Sequence, residues 1–255
     1  MTSLFFELCV ESLEAARAAQ AGGANQIELC AGLSDSGVTP PVDLITAVVQ
    51  AVSIPVSVLI RPRFGSFAFT PEEFALMGRQ IELARHAGAA AVALGALLPD
   101  HRVDIPRTRE LVEQARPMSV TFHRAFDEAP DLSAALEDVI ATGAGCLLTS
   151  GGSPDVLSGA ATIGDLRRQA RGRIRIMAGG GLRLQNLAEV VHRSGVTMLH
   201  SSLIRANGIT PNANGDGLAP LPPTPGQLLQ SDLREAIYLF HQVFQERTAP
   251  ASPAD

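Results

Sequence analysis

The stretch ATGAGCLLTS, residues 141–150, decides how the chain folds. Its first half ends a helix, with glycine supplying the left-handed residue that closes a helix C-terminus. Its second half is a short apolar run, bounded by glycines, that reads as a buried strand. The same junction recurs at AGGANQIELC (21–30), HAGAAAVALG (86–95) and RSGVTMLHSS (193–202). Between these lie three more strand-like runs, IPVSVLIRPR (54–63), MSVTFHRAF (118–126) and RIRIMAGGG (173–181). The N-terminal LFFELCV (4–10) makes eight.

Helical stretches separate the strands: SLEAARAAQA, PPVDLITAVVQAV, TPEEFALMGRQIELARHA, IPRTRELVEQA, DLSAALEDVIAT, residues 159–170, and LQNLAEVVHRS. Thr70 is expected to cap the third with Pro71 at its first position, and Asp131 to cap the fifth. Strict alternation of helices with strands rich in Val, Ile and Leu means a parallel sheet. Eight such units in about 200 residues predict an α/β fold, a single closed (β/α)8 TIM barrel. A doubly wound open sheet is disfavoured, because no GxGxxG follows the first strand. Residues 207–226 read as a long Gly/Pro/Asn-rich loop. SDLREAIYLFHQVFQER (231–247) reads as an extra, amphipathic C-terminal helix capped by Ser231 or Asp232. The expected layout is one domain over 1–247 and a disordered tail, TAPASPAD, over 248–255.

The composition excludes several classes. Of 255 residues, 46% are hydrophobic and 18% charged, which is globular. The net charge of −6 and the lack of a Lys/Arg run argue against nucleic-acid binding. The longest apolar run, AGAAAVALGALLP, is shorter than the roughly 20 residues that span a bilayer, so no membrane partner is expected. MTSLFFELCV lacks the features of a signal peptide, and the expected location is cytoplasmic. Cys9, Cys30 and Cys146 are too few and too scattered for a disulfide framework or a structural zinc site.

Barrel active sites form at the C-terminal ends of the strands. Those ends carry Glu7 with Cys9, Glu28 with Cys30, Arg61 with Arg63, His123, Arg124 and Asp127, then LTSGG, AGGG and HSS. Side chains alternate faces along a strand, so Glu7 and Cys9, Glu28 and Cys30, Arg61 and Arg63, and Thr121 and His123 share the inward parity. Leu8, Val10, Leu29, Ile60 and Phe122 take the other face, against the helices. Asp127, past the strand end, is expected to close over His123, and Arg124 to form an ion pair at the rim. The bland alternative is a set of charges that satisfy one another, since buried charges must be paired. Convergence of Glu7, Glu28, Arg61, Arg63 and His123 at one end favours a pocket.

Two further features bear on ligands. Loops after strands seven and eight often bind phosphate in barrels. Ser150, Gly151, Gly179, Gly180, Gly181, Ser201 and Ser202 are thus expected to offer N–H and hydroxyl donors to an anion. Cys9 and Cys30 fall on neighbouring strands, about 4.8 Å apart laterally, on one face. Two thiolates so placed suit a soft ion such as Cu(I), with His123 or His200 assisting. Buried cysteine is more often inert, and Arg61 and Arg63 would oppose a cation.

QIELC, SVLIRPR, VTFHRAFD, LLTSGG, MAGGG and HSS, in this order and spacing, resemble the CutC family from about Phe5 to Ser202. The resemblance implies a cytosolic (β/α)8 barrel concerned with copper homeostasis, with copper as partner and Cys9 and Cys30 at the positions of the proposed ligands. One segment departs from the pattern. IRPR is followed by FGSFAFT, where Phe64 replaces a glycine, Ser66 an acid and Phe69 a tyrosine.

Three functions are compatible with these residues. The first is cytosolic Cu(I) handling through Cys9 and Cys30. The second is an enzyme of isomerase or lyase type acting on a small anionic, phosphorylated or carboxylated metabolite. In it Arg61 and Arg63 clamp the anion, while Glu7, Glu28 and His123 move protons. No lysine sits at a strand end, so a Schiff base is not expected. The third is an interaction module, for which the C-terminal helix, with Tyr238, Phe240 and Phe244, offers a subunit contact. A homo-oligomer is expected, although the helix reads better as cover for the barrel.

Overall fold

The computed structural model describes residues 4–203 and 225–248. The strands are β1 Phe5–Val10, β2 Gln26–Leu29, β3 Val56–Leu59, β4 Ala91–Leu94, β5 Ser119–Phe122, β6 Cys146–Thr149, β7 Arg175–Ala178 and β8 Met198–Ser201. The helices are α1 Leu13–Gly22, α2 Val42–Ala51, α3 Pro71–His86, α4 Ile105–Ala115, α5 Leu132–Thr142, α6 Ala160–Ala170, α7 Leu184–Ser194 and α8 Pro225–Thr248. Neighbouring strands pair in parallel in chain order, and β8 returns to β1 to close the barrel.

The local signals operate as chemistry requires. Gly143 ends α5 with a φ of 87°, a conformation that costs glycine nothing. Thr70 and Glu73 form a reciprocal capping box at the start of α3, with Pro71 in its first turn. Asp131 accepts from the N–H groups of Ser133 and Ala134 at the start of α5.

Parity sorts the interior into two regions. Leu8, Val10, Leu29, Ile60 and Phe122 belong to the large core between strands and helices. Inside the barrel lie two small apolar groups. Cys9, Cys30, Leu59 and Ala93 form one near the C-terminal mouth, and Cys146, Leu148, Met177 and Met198 form the other lower down.

The C-terminal helix takes the eighth place in the helical ring, packed between α1 and α7. It begins at Pro225, so Ser231 and Asp232 lie inside it and are not its cap. Leu233, Ala236, Phe240 and Val243, spaced three and four apart, are buried against the barrel, and Tyr238 faces out. The helix therefore covers the barrel flank. The loop expected over 207–226 lies outside the described residues except for its last two, which belong to α8. The tail expected over 248–255 lies outside them except for Thr248, the last residue of α8.

Replacing Phe240 with Ala should cost about 3–5 kcal/mol of stability, through lost burial and the cavity left behind. Urea denaturation of the variant measures this.

Candidate functional site

The site begins with the register of β1 against its two neighbours. Cys9 lies opposite Glu28 of β2, and Glu7 lies opposite both Gln26 of β2 and His200 of β8. Cys30, just past β2, shares the inward parity of Glu28, and its Sγ stands 3.5 Å from that of Cys9. Both thiols are buried and free. The hydrogen bond with Cys30, burial and the Glu28 carboxylate together hold the Cys9 thiol well above its ordinary range. The thiol therefore stays protonated near pH 7.

One layer down, an imidazole sits between two carboxylates. His200 Nδ1 is 2.8 Å from Glu7 Oε1, and its Nε2 is 3.7 Å from Glu28 Oε2. Glu7 also accepts from the side-chain amide of Gln26. Burial is the largest influence on His200 and works against its charge, but Glu28 and Glu7 outweigh it and the pKa rises. Burial raises Glu28, His200 opposes this and Glu7 adds to it, so the carboxyl titrates above its usual range. Cys9, Glu28 and His200 present ligand atoms within 4.8 Å of one another. Glu7 is absent from the cavity wall and instead orients His200 from below, a correction to its expected place at the mouth.

His123 follows β5 and is buried with the inward parity expected of it. Its Nδ1 accepts from the Ala125 N–H at 3.2 Å, which puts the ring proton on Nε2. That Nε2 is buried without a partner among the described residues. Gly95 makes room for the ring, since a Cβ there would lie 2.7 Å from Nδ1. Burial first, then the positive fields of Arg61 and Arg124, push His123 down to about 3. It is therefore a neutral hydrogen-bond donor near pH 7, and not the proton-transfer group expected from its residue type.

Asp127 does not close over His123. Its carboxylate accepts from the Thr149 hydroxyl and from the N–H groups of Ser150 and Gly152, and it pairs with Arg124 at 2.9 Å. The β6 loop thus holds an internal carboxylate where an external anion was expected. Gly151 N–H donates to Thr149 Oγ1 and Gly179 N–H to the Thr149 carbonyl. The Ser201 hydroxyl donates to the Leu182 carbonyl. Of the expected anion donors, Gly180, Gly181 and Ser202 line the cavity, and their donor groups make no such bond among the described residues. Arg124 forms the rim ion pair expected of it and also donates to Ser150 Oγ.

The two arginines of IRPR serve the loops. Arg61 lines the cavity, but its terminal nitrogens donate to the carbonyls of Ser36, Gly37 and Gly65. Its guanidinium stacks over Phe67 at 4.6 Å, and Phe67 in turn packs on His123 at 5.0 Å. Arg63 points elsewhere, to Glu73 of α3 and to the carbonyls of Phe64, Ser66 and Ala68. The clamp expected of Arg61 and Arg63 is not assembled. In FGSFAFT, Phe69 stacks beneath Arg63, and Phe64 lies against Gly32 across the mouth.

These residues line a cavity of about 570 Å³ at the C-terminal mouth. Cys9, Cys30, Glu28 and His200 lie on one side of its lining, His123, Phe67 and Arg61 on another, and Arg124 and Arg183 are further guanidiniums. Arg183 was missed by sequence reasoning. Its position two residues past the AGGG run, at the entry to α7, was the available signal.

A family model described as the CutC family matches residues 4–205. The chain belongs to the CutC family. A human protein named copper homeostasis protein cutC homolog is 44% identical over 196 residues, covering 77% of this chain and 72% of that protein. A family protein CutC of Chromobacterium violaceum is 43% identical over 196 residues, covering 77% and 79%. A solved CutC structure from Streptococcus agalactiae superposes with a TM-score of 0.74 at 28% identity, covering 78% of this chain and 98% of that one. The family model's match ends at residue 205, so α8 lies beyond it.

Two outcomes follow from this geometry. Replacing Asp127 with Ala orphans the hydroxyl of Thr149 and the N–H of Ser150, both on buried residues, so stability should fall by about 2–4 kcal/mol in urea titration. The second concerns pH. His123 has a depressed pKa in the fold, so below about pH 6.5 the unfolded chain gains a proton that the folded chain refuses. Stability contributed this way falls as pH drops from there towards about 3. His200, raised in the fold, contributes stability at low pH that is lost as pH climbs through its folded value. Imidazole NMR should therefore show His123 neutral at pH values where His200 is already protonated. The unfolding free energy of a His123→Asn variant should also decline less steeply on acidification than that of the parent.

Proposed function

We propose that this CutC-family chain handles Cu(I) in the reducing cytosol, binding it at the floor of the mouth cavity. Cys9 and Cys30 are the thiolate ligands and His200 supplies a nitrogen. The observation that carries the reading is the 3.5 Å separation of the two sulfurs. With metal–sulfur bonds of about 2.3 Å, as for thiolate-bound zinc, trigonal coordination by two sulfurs and one nitrogen needs sulfurs roughly 4.0 Å apart. The thiols are already within about half an ångström of that spacing. Soft thiolates select Cu(I) over harder ions, and the adjoining imidazole suits it too. Glu7 fixes the His200 ring, a second layer of the kind that metal ligands use. Glu28 is close enough to balance the charge of the complex. The family's association with copper homeostasis points the same way.

A second reading rests on a different observation. The cavity is far larger than one ion, and His123 Nε2 is buried there with no partner among the described residues. A small anionic metabolite would fill that space. His123 would donate to its oxygen, Arg124 and Arg183 would balance its charge, and the Glu28–His200 pair would move a proton, as in isomerase or lyase chemistry.

Titration of the reduced, metal-free protein with Cu(I) against a chromophoric chelator separates the two. The copper reading expects one equivalent bound, with affinity reduced at least a hundredfold in a Cys9→Ser/Cys30→Ser double variant. Binding that ignores the double variant would reject those ligands. Metabolites that raise the melting temperature, an effect lost on His123→Asn, would then favour the second reading.

A further inference from the structure

The chain's basic residues are unevenly placed. All 20 are arginine, and Arg167, Arg168, Arg171, Arg173 and Arg175 fall within nine positions of a sequence whose net charge is −6. They gather at the N-terminal end of the barrel, opposite the mouth. There a second cavity of about 710 Å³ is lined by Arg167, Arg168, Arg171 and Arg175 around an apolar floor that includes Phe5 and Met198. Arg247 of α8 joins them, since its guanidinium lies against Gly195 in the cavity wall.

Positive charge here is poorly compensated. Arg168 pairs with Asp165, and Arg173, outside the lining, pairs with Glu137. Arg167 and Arg175 donate, among the described residues, only to backbone carbonyls, those of Ser194 and Gly145. Among the described residues, Arg171 and Arg247 face no carboxylate. Burial, then Arg247 and Arg168, make the Arg167 guanidinium less favourable to charge. The dipole at the C-terminus of α6 accounts for Arg167 and Arg168 by itself. It does not account for Arg175, which arrives on β7, or Arg247, which arrives on α8.

We propose that this lower cavity binds a small phosphate-bearing molecule of mononucleotide size, its phosphates held by Arg167, Arg171, Arg175 and Arg247 and its apolar part set against Phe5 and Met198. Guanidinium forks match phosphate oxygens in pairs. The volume falls in the range of small-molecule sites, and its concave, part-apolar lining suits a compact ligand better than an extended acidic chain. The bound anion would relieve the repulsion among the arginines, so binding and stability are linked.

The test is calorimetric titration of the full chain at near-physiological salt with ADP, inorganic tripolyphosphate and a short polyglutamate peptide. Parallel titrations use an Arg171→Asn/Arg175→Ala variant and an Arg124→Ala/Arg183→Ala variant. Asparagine tolerates the left-handed conformation of residue 171, where φ is 48°. The expected result is one saturable ADP site, weakened roughly tenfold or more by the lower-cavity variant and unchanged by the mouth variant. Tripolyphosphate should bind the same site more weakly, lacking the apolar contact. No saturable binding, loss only in the mouth variant, or tighter binding of polyglutamate than of ADP would each overturn the proposal. A circular dichroism melt of the Arg171→Asn/Arg175→Ala variant guards against misfolding. If it is unfolded, charge-preserving Arg171→Lys/Arg175→Lys should bind ADP with intermediate affinity, and parent-like affinity would overturn the assignment.

Discussion

The structure depends on the two-residue period of a β-strand, enforced around a closed ring. In an open sheet an inward polar side chain could reach an edge. In a closed parallel barrel it has only the interior, shared with the inward side chains of seven other strands. Every polar residue at an inward position must therefore find a partner among the others or line a cavity. Glu7, Glu28 and His200 find one another, whereas His123 Nε2 and Arg61 Nε have no such partner among the described residues. The rest of the interior is closed by small and apolar groups, which makes this concentration of polar groups costly unless it serves a ligand.

The site is divided between binding groups and groups that hold the binding groups in place. Asp127 and Arg61 look catalytic by residue type, yet both fasten loops. Asp127 collects the donors of the β6 turn, and Arg61 ties the β2 and β3 loops through three carbonyls. With those loops fixed, Phe67 is held between Arg61 and His123, and the aromatic face shields the imidazole from water. Of the three phenylalanines that follow IRPR, only Phe67 lines the cavity, while Phe69 lies under Arg63 and Phe64 against Gly32.

Much of this was legible in the sequence. Period and glycine punctuation are local properties, so strand number, closure and the inward set of Cys9, Glu28, Cys30 and His123 could be read without coordinates. Loops were different. That Arg63 turns to Glu73, or that Asp127 fills the donor nest of the β6 turn, depends on which carbonyls and N–H groups three separate loops bring together, and spacing carries no trace of that. Glu7 was placed by parity on the right face but at the wrong depth, because register between β1 and β8 is not encoded in either strand alone. The start of α8 was missed because its first residues follow a Pro- and Gly-rich run that masks them.

The central claim is that the paired sulfurs at the top of β1 and β2 form a copper site. The most direct measurement is X-ray absorption at the copper edge of protein loaded with one equivalent of Cu(I). The account predicts two sulfur scatterers and one nitrogen scatterer in the first shell, with both sulfurs lost in the Cys9→Ser/Cys30→Ser variant. A first shell of nitrogen and oxygen alone, or one identical in parent and variant, would contradict it.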